Sequence, residues 1–165
     1  MSEKKIRVGF IGIGAMGNPM AHNILKAGFP LTVYDRNPEK TLGFFDQGVT
    51  VASSCADTNI KSDVVIIMIG QVAEELEAVL GVDGVFEGAH PGLTLIDMST
   101  VGIVALKKMA AAAHEKGVAF LDATVSGSVD IAKEAKLGLM VGGERVGILE
   151  RGEVPVRCCS DKLFG

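Results

Sequence analysis

The stretch Gly9-Phe10-Ile11-Gly12-Ile13-Gly14-Ala15-Met16-Gly17 carries an apolar run, Ile6 to Ile11, through three glycines spaced G-x-G-x-x-G and into a helical segment, Met16 to Ala27, that Gly28 ends. Each glycine has a separate physical task in such a strand-turn-helix. Gly12 permits the tight turn, Gly14 opens the backbone to close approach, and Gly17 lets helix and strand pack together. The start of the helix then presents free N–H groups and the positive end of its dipole, a setting that attracts anions and phosphate groups in particular.

Three glycines at this spacing are weak evidence by themselves in a chain with 21 of them. The surroundings strengthen the reading. The motif follows an apolar strand, opens a helix, and precedes an acid, Asp35, eighteen residues after Gly17 at the end of the next strand, Leu31 to Tyr34. That combination expects the pyrophosphate of a dinucleotide over Gly12, Gly14, Ala15, Met16 and Gly17, with the adenosine ribose diol on Asp35. The bland alternative is a glycine-rich turn that binds nothing. Flavin and S-adenosylmethionine sites use similar first turns and stand as nearer rivals. Asp35 would repel a 2′-phosphate and so favours NAD, whereas Arg36 could pair with that phosphate or stack on adenine, which keeps NADP open.

Outward from the turn, apolar runs and helical patterns alternate. Pro38 to Gln47 reads as a second helix, and Val49 to Ala52 as a short strand. Val64 to Ile69 is continuously apolar and β-branched, as suits a central parallel strand covered on both faces. Val72 to Leu80 is helical, Leu93 to Ile96 a strand, and Ile103 to Lys116 a helix stopped by Gly117. Val118 to Leu121 and Leu139 to Val141 follow as strands. Arg145 to Val156 should be helical by position but carries two glycines and a proline, and Ser160 to Phe164 reads as a last strand. The pattern predicts an α/β fold of the Rossmann type, a doubly wound, mostly parallel sheet with helices on both faces. At 165 residues it predicts one dinucleotide-binding domain, 1–165.

Composition narrows the function classes. Hydrophobic residues make up 48% of the chain and mean hydropathy is +0.36, values that oppose disorder. A net charge of −4 and a pI near 5.4 leave no electrostatic footprint for nucleic acid. No apolar run approaches a membrane span, and the start lacks the pattern of a secretory signal. Three cysteines cannot all pair, and no metal-ligand spacing joins them to His22, His90 or His114. A reducing, cytoplasmic setting is expected, with a mitochondrial one left open.

Further motifs point to a family. The chain resembles the β-hydroxyacid dehydrogenases, which include 3-hydroxyisobutyrate dehydrogenase and tartronate semialdehyde reductase. The likeness starts at Gly9 to Gly17 and runs through Pro19-Met20-Ala21 and Lys26-Ala27-Gly28. It returns at Asp97-Met98-Ser99-Thr100 and at Phe120 to Gly127, and closes with Leu137 to Gly143. The resemblance implies Ile69 and Gly70 against the cofactor, and Ser99 and Thr100 beside its nicotinamide end. It implies Ser126 and Gly127 on the carboxylate of a small hydroxyacid substrate. Read as residues alone, Ser99, Thr100 and Ser126 are more often caps on a following turn.

Departures from the family pattern matter too. Ile69-Gly70 stands where the family usually has Leu-Pro, and Thr124 and Ser128 replace a proline and a glycine, so Thr124 is expected to loosen its turn and Ser128 to narrow the carboxylate site. In the family a catalytic lysine, and oligomerisation, come from an all-helical C-terminal domain beyond the last Rossmann strand. Lys133 and Lys136 do not match that lysine and read as solvent-facing side chains. The chain is thus expected to be the cofactor half of such an enzyme, without a catalytic residue and inactive alone. A stand-alone dinucleotide-binding module is the second reading. A phosphogluconate-dehydrogenase-like enzyme is the third, disfavoured because Ser126-Gly127-Ser128 lacks a longer glycine-rich loop.

Overall fold

The computed structural model describes residues 5–143, 159 and 162–164. Strands β1 (Val8–Ile11), β2 (Leu31–Tyr34), β3 (Thr50–Val51), β4 (Val64–Ile67), β5 (Thr94–Asp97), β6 (Ala119–Ser126), β7 (Gly138–Gly143) and β8 (Lys162–Phe164) form one sheet, in the order β3-β2-β1-β4-β5-β6-β7-β8. The first six run parallel, β7 is antiparallel to β6, and β8 is parallel to β7. This is the doubly wound α/β arrangement that the alternating pattern predicts.

Both faces of the sheet are covered, which explains why its central strands lack polar alternation. Val64 and Ile66 of β4 enter one apolar cluster and Val65 and Ile67 the other, and all four are fully buried. Burial of side chains of this size stabilises by about 1.5–3 kcal/mol each. On the first face, helix α1 (Gly17–Lys26) contributes Met20 and Ile24, and Phe44 joins them from residues 38–47. On the second, α3 (Val72–Leu80) contributes Val79, and α4 (Ile103–Glu115) contributes Ala105, Met109 and Ala113.

Several elements differ from expectation. Residues 38–47 wind as a 3₁₀ helix rather than an α-helix, started by the Asn37 side chain accepting from the Glu39 amide. Two short helices escape the periodicity reading because neither spans enough turns to show a stripe. These are α2 (Cys55–Ile60) and α5 (Val129–Lys133). Each has a local signal in its serine cap: Ser54 accepts from the Asp57 amide at 3.0 Å and Ser128 from the Ile131 amide at 3.4 Å. Strand β6 runs to Ser126, beyond the predicted Leu121, because β7 folds back along its whole second half. The helix expected over 145–156 lies outside the described residues.

The glycine turn is held by close packing. A Cβ on Gly17 would fall 1.9 Å from the Gly12 carbonyl oxygen, and one on Gly12, at φ +96°, would fall 2.2 Å from the Met68 carbonyl oxygen. At Gly14 a Cβ would meet nothing within 4 Å. We therefore expect Gly17→Ala to lower stability by about 1–3 kcal/mol, whereas Gly14→Ala should change it by under about 0.5 kcal/mol. Urea midpoints of the two variants check this, and equal midpoints would refute the packing account.

Candidate functional site

The sheet order reverses beside β1: β2 and β3 lie on one side of it, β4 and β5 on the other. At such a switch point the connections leave in opposite directions and open a crevice at the carboxyl ends of the strands. A cleft of about 500 Å³ lies there, bordered by Gly12, Gly14, Asp35, Arg36, Ile69 and Gly70 among others. It is bordered as well by Lys40, Glu74 and residues 53–55, which sequence reasoning did not single out.

Asp35 closes the polar end of the turn. Its Oδ2 accepts from the Ile13 amide at 2.8 Å, inside the glycine motif, and its Oδ1 accepts from the Asn37 amide at 2.9 Å. The Lys40 ammonium stands 3.5 Å from Oδ1. The acid therefore fixes the turn as well as facing the cleft. Arg36 is largely exposed and reaches Glu74 of α3 at 2.7 Å. Helix α1 begins at Gly17 with no side-chain cap and no acidic residue in its first turn, so its N-terminal amides face the turn without a competing anion.

The far end of the cleft depends on a buried polar chain. The Ile69 amide donates to Ser99 Oγ at 3.0 Å, and the Ser99 amide donates to Asp97 Oδ1 at 2.8 Å. Asp97 and Glu75 of α3 are both fully buried. Burial, with the neighbouring Asp97 next, pushes the Glu75 acid up to about 9; burial also raises Asp97. Sequence reading did not single out Glu75. Its only sequence signal is an acid among the apolar positions of Val72 to Leu80.

The remaining expected residues sit along the same edge but do not border the cleft. Thr100 is exposed after β5, and Ser126 and Gly127 are exposed at the end of β6. Ser128 caps α5. Thr124 does not loosen a turn: it is a strand residue paired with Met140, and its hydroxyl donates to Asp122 Oδ1 at 2.9 Å. Lys133 and Lys136 are exposed and bonded to Asp130 and Glu134. Among the described residues no three metal-ligating side chains cluster, and no helix is long and apolar enough to cross a membrane.

A parallel sheet that reverses beside a glycine turn, with an acid on the next strand end tied to that turn, defines an α/β dinucleotide-binding domain. The chain belongs to the family described as the NAD binding domain of 6-phosphogluconate dehydrogenase, whose model matches residues 7–151. It is 42% identical over 139 residues to the mitochondrial 3-hydroxyisobutyrate dehydrogenase of Bos taurus, an alignment covering 84% of this chain and 41% of that protein. Identity to the NAD-dependent L-serine dehydrogenase of Pseudomonas aeruginosa is 39%, covering 84% of this chain and 46% of that one. The structure of Mycobacterium tuberculosis 3-hydroxyisobutyrate dehydrogenase with L-serine superposes with a TM-score of 0.87 at 30% identity, over 98% of this chain and 54% of that one. The chain thus spans less than half the length of these two curated relatives.

The cleft also contains a thiol. Cys55 is buried at the start of α2, and burial pushes its acidity up to about 12, so almost none of it is thiolate near neutral pH. Alkylation by iodoacetamide at pH 8, followed by peptide mass spectrometry, should leave Cys55 unmodified in the folded chain and label it in urea. Rapid labelling of the folded chain would contradict the burial.

Proposed function

We propose that this chain holds NAD across the carboxyl edge of its parallel sheet and forms the cofactor half of a β-hydroxyacid dehydrogenase. The observation that carries the reading is the bond from the Ile13 amide to Asp35, which joins the phosphate-binding turn and the ribose-binding acid in one cleft. The pyrophosphate lies over Gly12, Gly14, Ala15, Met16 and Gly17. Gly14 faces open space there, and the uncapped start of α1 supplies amide donors.

Each Asp35 oxygen accepts one backbone amide and keeps acceptor capacity for a ribose hydroxyl. A 2′-phosphate would lie against this carboxylate, so NAD is favoured over NADP. Arg36, already engaged by Glu74, borders the adenine end. Bound in this way, NAD supplies a nicotinamide that exchanges hydride with a substrate carbon.

Ile69, Gly70, Ser99 and Thr100 flank the nicotinamide end, and Ser126 and Gly127 take the substrate carboxylate. The substrate class is a small 3-hydroxy acid, such as 3-hydroxyisobutyrate or the tartronate semialdehyde/glycerate pair. The names of the relatives support this, since 3-hydroxyisobutyrate and L-serine both carry a carboxylate and a hydroxyl on the neighbouring β-carbon. Association through a helical domain and a reducing, cytoplasmic setting complete the reading. Cys55 is a buried free thiol, in keeping with such a setting.

Parallel calorimetric titrations with NADH and NADPH test the proposal. NADH should bind more tightly, and Asp35→Ala should weaken it by about tenfold or more. Gly14→Ala should also lose affinity while keeping its urea midpoint. Binding of neither dinucleotide would sink the reading. Tighter NADPH binding that Arg36→Ala abolishes would reverse the cofactor preference.

A further inference from the structure

Drawn as ionised groups, Glu75 and Asp97 make no sense where they lie. Glu75 Oε1, Glu75 Oε2 and Asp97 Oδ2 are buried and meet no donor. Among the described residues neither carboxylate forms an ion pair. Two buried negative charges side by side would repel, with Ser99 as a hydrogen-bond neighbour but, among the described residues, no cation to offset them. A single proton resolves the arrangement: as an acid, Glu75 donates to Asp97, its side-chain hydrogen-bond neighbour.

We propose that Glu75 is a positioning residue for the nicotinamide end of the site, acting as a neutral acid that donates to Asp97 Oδ2. Asp97 Oδ1 then stays on the Ser99 amide, Ser99 Oγ stays on the Ile69 amide, and Ile69 forms the cleft wall. The inference rests on the cofactor reading for its functional consequence, though not for the state of the acid pair.

The surroundings determine which way pH acts. From the β5 edge Glu75 is faced by Asp97 and Ser99, and Asp97 also feels Asp122 of β6. Helix α4, packed on α3, carries Lys107, Lys108, His114 and Glu115, all exposed to solvent. From residues 85–88 comes Glu87, which accepts from the Asp83 amide. On α3 itself Glu74 is paired with Arg36, and Glu77 is exposed. The folded acid titrates near 9 against an ordinary 4.5, so the folded chain holds one proton more than the unfolded chain across that window. Its contribution to stability is full below about pH 4.5 and falls as pH rises toward 9. Above that window Asp97 loses its donor and the wall loosens.

The test uses the chain as it stands, from pH 6 to 10. At pH 7 the infrared spectrum should contain the carbonyl band of an un-ionised acid that is absent in Glu75→Gln and lost in the parent above about pH 9. The amide resonances of Ile69 and Ser99 should shift through the same step and stay flat in Glu75→Gln. NADH affinity should fall about tenfold through it, as the loss of one buried donor implies. Glu75→Leu should show that loss already at pH 7, and Glu75→Gln, which keeps a donor without the charge, should recover most of it.

Absence of the acid band, or amide shifts unchanged in Glu75→Gln, would overturn the proposal even if Glu75→Leu fails to fold. An intact acid band without NADH binding at any pH would leave the pair standing and remove the cofactor reading. An alkaline loss of NADH affinity that persists in Glu75→Gln would remove the positioning role alone. Tyr34 borders the same cleft and would then carry the loss.

Discussion

Helix α1 can begin where it does only because no side chain stands between Gly17 and the carbonyl oxygen of Gly12. The contact brings the helix start against β1 and points its unpaired amides across the turn. The turn in turn presses on β4, through Gly12 against the Met68 carbonyl, so three elements share one close approach. Asp35 ties β2 to the same point through the Ile13 amide. The cleft is therefore a consequence of how tightly the strand ends are drawn together, and its shape does not depend on any long loop.

Much of this was legible because the deciding residues are local. A glycine needed for close approach, an acid at the next strand end, and β-branched runs in central strands all leave marks within a few positions of one another. The doubly wound, mostly parallel arrangement followed from the alternation of elements and the handedness of crossovers. The cleft residues Gly12, Gly14, Asp35, Arg36, Ile69 and Gly70 come together because they all follow carboxyl ends of neighbouring parallel strands.

What stayed hidden depends on contacts distant in sequence or on elements too short to show a period. Helices α2 and α5 are defined by serine caps more than by apolar stripes. The length of β6 is set by its antiparallel partner β7, which a reading of Val118 to Leu121 alone does not contain. Thr124 looked like a loosened turn because its neighbours in the chain gave no sign that it pairs with Met140 and bonds Asp122. Lys40 meets Asp35 only because the 3₁₀ winding of 38–47 turns it back toward the strand end.

The same distinction explains the wall at Ile69-Gly70. A proline at the second position, as the resembling family usually has, would fix its own φ and restrict the residue before it. Glycine does neither, and leaves the segment a larger conformational entropy to lose. In this chain the Ile69 amide is instead held by a side chain, Ser99 Oγ, whose own amide is held by Asp97. The segment is held by a hydrogen-bond relay, and a buried carboxylate at the end of that relay is best placed with a donor beside it. Glu75 stands at that end, fully buried on α3, where an apolar residue would pack more easily but could not supply the proton. The acid that helix periodicity cannot explain thus lies at the buried end of the hydrogen bonds that hold the segment where glycine departs from the family pattern.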